Sequence, residues 1–426
     1  MSNQTQDFEA MQAAYADLLV RTGLNVQPGQ SVRILAELGH RTFAQQVVRA
    51  AYTAGAGYVH VEWMDPVTDY IRLNQAPEER LGYVPAYKIA RHQQMLDEHW
   101  AMLSLVGTEF PNLFDGVDPA RMQKDRMGTS QQMRFWSSRV SNSDVAWCVA
   151  AVPNRAWAVK VLPDLPPDEA LSTLWETVFQ VCRLYEPDPI QAWAAHGQRL
   201  KQAIAFMAQK QVRGVRFLDP TPGPDGKPST DLTVGLTDRP AWVGASSVTP
   251  QGVEFVPNIP TEEIFSSPHR ERVDGWVRIS KPAFPLQREV IGMVVRFAHG
   301  QVVDFSADQG EEILASFFDI PGARRLGEVA LVDVRSPINR SGIIFYNILF
   351  DENAVCHIAF GRAYSAGVEG GEQMEEDALH ALGINDSSIH LDVMIGTETM
   401  QVWGLCADGQ DVLLMQDGRF VQAVAG

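Results

Sequence analysis

Residues 31–64 read SVRILAELGHRTFAQQVVRAAYTAGAGYVHVEWM, and this stretch decides the fold of the first half. Ser31 to Leu38 is an apolar run of strand length. Thr42 to Ala54 carries its apolar residues at helical spacing and is closed by Gly55 and Gly57. Tyr58 to Met64 returns to β-branched alternation. A strand, a helix and a strand in this order need a crossover, which makes the two strands parallel neighbours. The pattern extends both ways. Phe8 to Arg21 is helical by the spacing of Phe8, Met11, Tyr15, Leu18 and Leu19. Helical stretches at Ala86 to His99 and Pro119 to about Arg139 precede strands at Ala101 to Val106 and Asp144 to Val152. The expectation is a mainly parallel sheet covered by helices on both faces. No glycine-rich phosphate loop follows the first strand, where Glu37-Leu38-Gly39-His40 holds one glycine, so a nucleotide site is not indicated.

The texture changes past YEPDP, Tyr185 to Pro189, which separates amphipathic helices at Asp168 to Leu184 and Ile190 to Lys210. Short strands divided by Gly/Pro turns follow: Gly214 to Leu218, Asp231 to Leu236, Trp276 to Ser280, Val290 to Phe297 and Val302 to Ser306. PTPGPDGKPST, Pro220 to Thr230, reads as a turn-rich, mobile insertion. The sequence thus predicts an α/β N-terminal domain over 1–187 and an α+β domain carrying the candidate site over 188–426.

Composition sets limits. The chain has 426 residues, 45% hydrophobic and 20% charged, enough for two globular domains. Its 52 acidic against 35 basic side chains give a net charge of −17, and its densest basic groups are as short as Arg324–Arg325. Nucleic-acid binding, which needs a basic stripe, is not expected. Cys148, Cys182, Cys356 and Cys406 are scattered, with no CxxC pair, so neither a disulfide scaffold nor a thiolate zinc site is indicated. MSNQTQDFEAMQ lacks a basic start followed by an apolar run, and no stretch has the length and apolarity of a membrane helix. A cytoplasmic setting is expected.

Four polar clusters in the second half could carry chemistry. In Ile389-His390-Leu391-Asp392, alternation indicates a strand, which places His390 and Asp392 on one face. They could ligate one cation or simply hydrogen-bond to each other. Glu352 and His357 form a second carboxylate–imidazole pair, in which Cys356 reads as a small buried residue rather than a nucleophile. Glu262–Glu263 follow Pro-Thr, the pattern of a helix N-terminus capped by Thr261. Glu328 follows Arg324–Arg325 and by itself suggests a surface ion pair. Together these carboxylates and imidazoles are the donor set of a two-metal hydrolytic centre, although spacing alone does not bring them together.

At these clusters the chain resembles the thermophilic aminopeptidase family of aminopeptidase T, AmpS and PepS, which are metal-dependent exopeptidases. The resemblance spans nearly the whole chain. It includes YADLLVRTGLNVQPGQ (15–30), VEW (61–63), TDLTVGL (230–236), NIPTEEIFSSPH (258–269), GARRLGEVALV (322–332), SGIIFYNILFDENAVCHIAFGRAY (341–364) and NDSSIHLD (385–392). Carried over by motif, it implies metal ligands at Glu262, Glu328, Glu352, His357, His390 and Asp392. It implies catalytic roles for Tyr364, as oxyanion donor, and for Glu263, near the bound water, with either glutamate of the tandem able to relay a proton. It further implies two divalent ions per chain (cobalt, zinc, magnesium or manganese), peptide substrates with a free N-terminus, and a homodimer. The same ligands would suit a two-metal amidase or esterase on non-peptide substrates, and the fold alone a non-catalytic metal-binding homologue.

Overall fold

The computed structural model describes residues 2–223 and 226–425. The chain forms two compact units, 2–194 with 246–260, and 195–245 with 261–425. Sequence texture suggested one cut after residue 187. In the structure the chain instead returns to the first unit through 246–260, and the helix Pro189–Gln209 runs across the division.

The first unit is built on a five-stranded sheet in which every pairing is parallel. Its order is Asn258–Ile259, Trp147–Ala151, Ala101–Val106, Ser31–Glu37, Tyr58–Met64. Arg41–Thr53 makes the first crossover, burying Phe43, Ala44, Val47 and Ala51. The opening helix Ser2–Leu18 tightens its packing through Tyr15, whose ring stacks on Phe43 with centroids 5.3 Å apart. Two further helices of this unit are Pro66–Gln75 and Arg155–Val161. Each has a side-chain cap: Asp65 accepts from the Val67 N–H, and Asn154 from the Trp157 N–H. The stretch expected as one helix from Pro119 divides at Met133 into Pro119–Gln132 and Arg134–Ser141.

The second unit carries two antiparallel sheets, one of eight strands and one of five. The Pro220 to Thr230 stretch is mostly hairpin, because one strand runs to Pro222 and the next begins at Pro228; residues 224 and 225 lie outside the described residues. The five-stranded sheet has the order His390–Met394, His357–Gly361, Leu326–Val332, Glu263–Ser266, Val243–Gly244. One of its faces contributes Ile264, Val329, Leu331, Ile358, Phe360 and Val393 to an apolar core shared with the larger sheet. The other face, at the alternate positions, carries the candidate site. Among the described residues, no helix is long and apolar enough to cross a membrane.

Candidate metal centre

Register assembles the site. Directly opposed residues of an antiparallel ladder share a face, as do residues two apart on one strand. Glu328 lies opposite Ala359, which lies opposite Asp392. His357 and His390 each sit two residues from that row on the same face, and Glu263, opposite Val332, joins it from the neighbouring strand. The strand at Glu263–Ser266 replaces the helix N-terminus that Pro-Thr-Glu-Glu suggested locally. Pairing with the Leu326–Val332 strand overrides the capping preference of Thr261.

A bulge aims Glu328. In a regular strand Leu326 and Glu328 would share a face, yet Leu326 is buried in the core. The register shifts between them, from Leu326 opposite Phe360 to Glu328 opposite Ala359. Gly327 makes this possible, because a Cβ there would lie 2.2 Å from the Arg362 carbonyl oxygen.

The resulting distances are short. His357 Nε2 lies 3.2 Å from Glu263 Oε2 and 3.4 Å from Glu328 Oε1. His390 Nε2 lies 3.1 Å from Asp392 Oδ1 and 3.6 Å from Glu328 Oε2. Two donor triads emerge, Glu263–Glu328–His357 and Glu328–His390–Asp392, each with its donor atoms within 4.8 Å of one another. Glu328 belongs to both. Glu352 approaches from the end of the short helix Ile348–Asp351. Burial holds its carboxyl well above the usual range, and the charges of Asp392, Glu263 and Glu328 add to that.

Glu262 has the opposite parity to Glu263 and belongs to neither triad. It turns toward His196 on the helix Pro189–Gln209, with Nε2 to Oε2 at 3.6 Å. The same Nε2 donates to the Thr261 carbonyl at 2.9 Å. Asn353, fully buried, accepts the Glu262 backbone N–H. Neither His196 nor Asn353 carries a sequence signal. His196 reads as one polar residue in an amphipathic helix far from the tandem glutamates, and Asn353 as a turn residue.

Electrostatics describe a site short of positive charge. Burial, followed by the neighbouring Glu263 and Asp392, pushes Glu328 up to about 7. Burial alone would lower both imidazoles. The close carboxylates of Glu263 and Glu328 nevertheless raise His357 well above its ordinary value, and Asp392 and Glu328 bring His390 to about 9. Glu263 Oε2 and both ring nitrogens of His357 are buried without a hydrogen-bond partner. Unsatisfied buried donors of mixed N and O type fit a divalent cation, which would supply the missing charge. Cys356 takes no part: it is buried, and burial pushes its thiol up to about 11.

Tyr364 stands beside the cluster with its ring centroid 4.7 Å from that of His390. Burial and the surrounding carboxylates raise its hydroxyl well above the ordinary phenol value, so the proton stays on and the group is a donor.

Carboxylates and imidazoles gathered on one sheet face, around sites a cation would complete, define a metallohydrolase. The chain belongs to the thermophilic metalloprotease (M29) family, whose model matches residues 8–420. It is 38% identical over 412 residues to aminopeptidase 2 of Geobacillus stearothermophilus, covering 96% of this chain and 98% of that one. It is 38% identical over 407 residues to aminopeptidase T of Thermus aquaticus, covering 95% and 97%. The solved structure of wild-type AmpT from Thermus thermophilus superimposes with a TM-score of 0.86 at 36% identity, covering 97% of this chain and all of that one.

Proposed function

We propose that this metallo-aminopeptidase removes N-terminal residues from peptides at a two-metal centre, with Glu328 shared between the ions. The observation that carries this reading is the pair of triads meeting at Glu328, whose Oε1 faces His357 and whose Oε2 faces His390. Glu263 and His357 would complete one position and His390 and Asp392 the other, with Glu352 beside both. In this reading the tandem glutamates exchange the roles expected from motif: Glu263 is the ligand, and Glu262, turned toward His196, is the carboxylate left for proton transfer.

Divalent ions bound here would supply Lewis acidity toward the scissile carbonyl and lower the pKa of an attacking water. Cobalt, zinc, magnesium and manganese all suit such N/O donors. The chain's own groups do the rest. The substrate's α-amine, in its uncharged form, is a further nitrogen donor of the kind the site gathers. Tyr364 donates a hydrogen bond to the oxygen that becomes negative when the carbonyl is attacked. Glu262 takes the proton released by the water and returns it to the leaving amine. A homodimer in the cytoplasm belongs to the same reading on the strength of the family resemblance, and light scattering checks the dimer.

Metal analysis of Glu328→Gln tests the centre: fewer than two ions per chain together with collapse of kcat supports the shared ligand, and two ions with normal turnover rejects it. A leucine anilide with its amine acetylated tests the substrate class. Equal turnover of blocked and free forms would point to an amidase or esterase, and metal uptake without hydrolysis of either would point to a binding protein.

A further inference from the structure

The face that carries the ligands offers few places for a substrate side chain to lie. Register puts six apolar side chains on it: Val243, Phe265, Ala330, Val332, Ala359 and Met394. Ala330, Val332 and Ala359 are 0% exposed and Met394 is 3% exposed. Among the described residues of this face, the apolar side chains that keep access are therefore Phe265 and Val243, which are paired across adjacent strands. Ile264, next to Phe265, points into the core.

Of these two, Phe265 shares its strand with a member of the donor cluster. It lies two residues along the strand from Glu263, about 6–7 Å at the rise of a β-strand. Its ring meets that of Tyr364 edge-on, with centroids 6.3 Å apart at 66°. Tyr364 is 45% exposed and reaches His390 on its other side. Phe265, Tyr364 and His390 thus form an aromatic wall along the rim of the donor cluster. In an N-terminal residue the side chain branches from the carbon between the α-amine and the scissile carbonyl. With the amine at the donor cluster and the carbonyl oxygen at Tyr364, that side chain leaves along the same face, toward the wall.

We propose that Phe265, flanked by Val243, receives the side chain of the substrate's N-terminal residue and selects for large apolar residues there. This rests on the aminopeptidase reading above. The ring does not touch the reacting atoms; it acts through the fit of the side chain beside them.

The test compares the metal-loaded chain with Phe265→Ala and Phe265→Leu on the p-nitroanilides of leucine, phenylalanine and alanine, with metal content measured in each. Phe265→Ala is expected to lose about ten- to a hundredfold in kcat/KM on the leucine and phenylalanine substrates, and less than about threefold on alanine. Phe265→Leu, which keeps an apolar surface of similar volume, is expected to recover most of the leucine activity. Metal content should stay unchanged. An equal loss on all three substrates, or an unchanged ranking in both variants, overturns the wall and leaves the aminopeptidase reading standing. No turnover of any of the three by the unsubstituted chain overturns both.

Discussion

Asn353 accepts the backbone N–H of Glu262 on its side-chain carbonyl at 2.7 Å, while its amide nitrogen lies 3.4 Å from Oε1 of Glu352. One fully buried side chain therefore ties the start of the Glu263–Ser266 strand to the loop that delivers a fourth carboxylate, Glu352. The residue is itself anchored: its side-chain amide donates to the Leu349 carbonyl at 3.2 Å, and its backbone carbonyl accepts from the Ser336 hydroxyl at 2.7 Å. Residues that orient metal ligands in this way fix their geometry without touching the ion.

Asn353→Asp separates these two tasks. The new carboxylate still accepts the Glu262 N–H but meets Glu352 with an acceptor and a negative charge. Loss of a partner that orients metal ligands typically costs 10- to 100-fold in metal affinity or activity. On the two-metal reading proposed above, titration with the activating metal should show a loss of that size at one of the two sites. Affinity within twofold of the parent and unchanged kcat would reduce Asn353 to a loop residue.

Gly327→Ala addresses the bulge. A methyl group 2.2 Å from the Arg362 carbonyl cannot be accommodated without backbone movement, and that backbone sets which face Glu328 occupies. We expect a destabilisation of roughly 2 kcal/mol or more. Bound metal should fall below two ions per chain in the fraction that stays folded. Wild-type stability and full metal occupancy would show that the strand can aim Glu328 without the glycine.

The value of that bulge was not legible in the sequence, and the reason is physical. Leu-Gly-Glu in a regular strand puts Leu326 and Glu328 on one face, and only the non-local pairing with Phe360 and Ala359 shows the shift. The tandem glutamates present the same difficulty. Pro-Thr-Glu-Glu carries every local mark of a helix start, and its strand pairing with a segment more than sixty residues away decides the outcome. Where the signal was local, it sufficed. The alternation in Ile389 to Asp392 indicated the strand that the structure contains, and the β/α alternation of the first half indicated its parallel sheet.

If the proposed ligands hold the metal, protons compete with it for them, and removing metal should reverse part of the pH dependence of stability. In the metal-free chain Glu328, ordinarily near 4.5, is held to about 7, and His390, ordinarily near 6.5, is held to about 9. Both values are raised on folding. The stability each group contributes is therefore present below its unfolded value and lost as pH rises through 7 and then 9. Chelated protein should melt at progressively lower temperature from pH 6 to pH 9. Metal affinity should move the other way, rising up to about tenfold per pH unit for each proton displaced. Calorimetric scans with and without chelator give the first slope, and proton release on metal addition in weak buffer gives the second. A metal-free melting temperature that climbs across that range would contradict the arrangement.

Tyr364→Phe separates chemistry from packing, because the ring contacts with His390 and Phe265 survive and only the hydroxyl is lost. Burial and the surrounding carboxylates keep that hydroxyl protonated, so it has a proton to donate. If it donates to the oxyanion, its interaction strengthens as the carbonyl is attacked and is weak before. Loss of one such donor costs roughly 2.7–4 kcal/mol, a 100- to 1000-fold fall in kcat. KM should change far less, since the metal centre and the pocket still hold the ground state. A packing role predicts instead a fall of less than about threefold, a fraction of a kcal/mol. Metal content measured on the same samples excludes indirect damage to His390, whose ring lies against the tyrosine. A large rise in KM with kcat intact would assign the hydroxyl to substrate binding and leave the oxyanion to be stabilised elsewhere in the site.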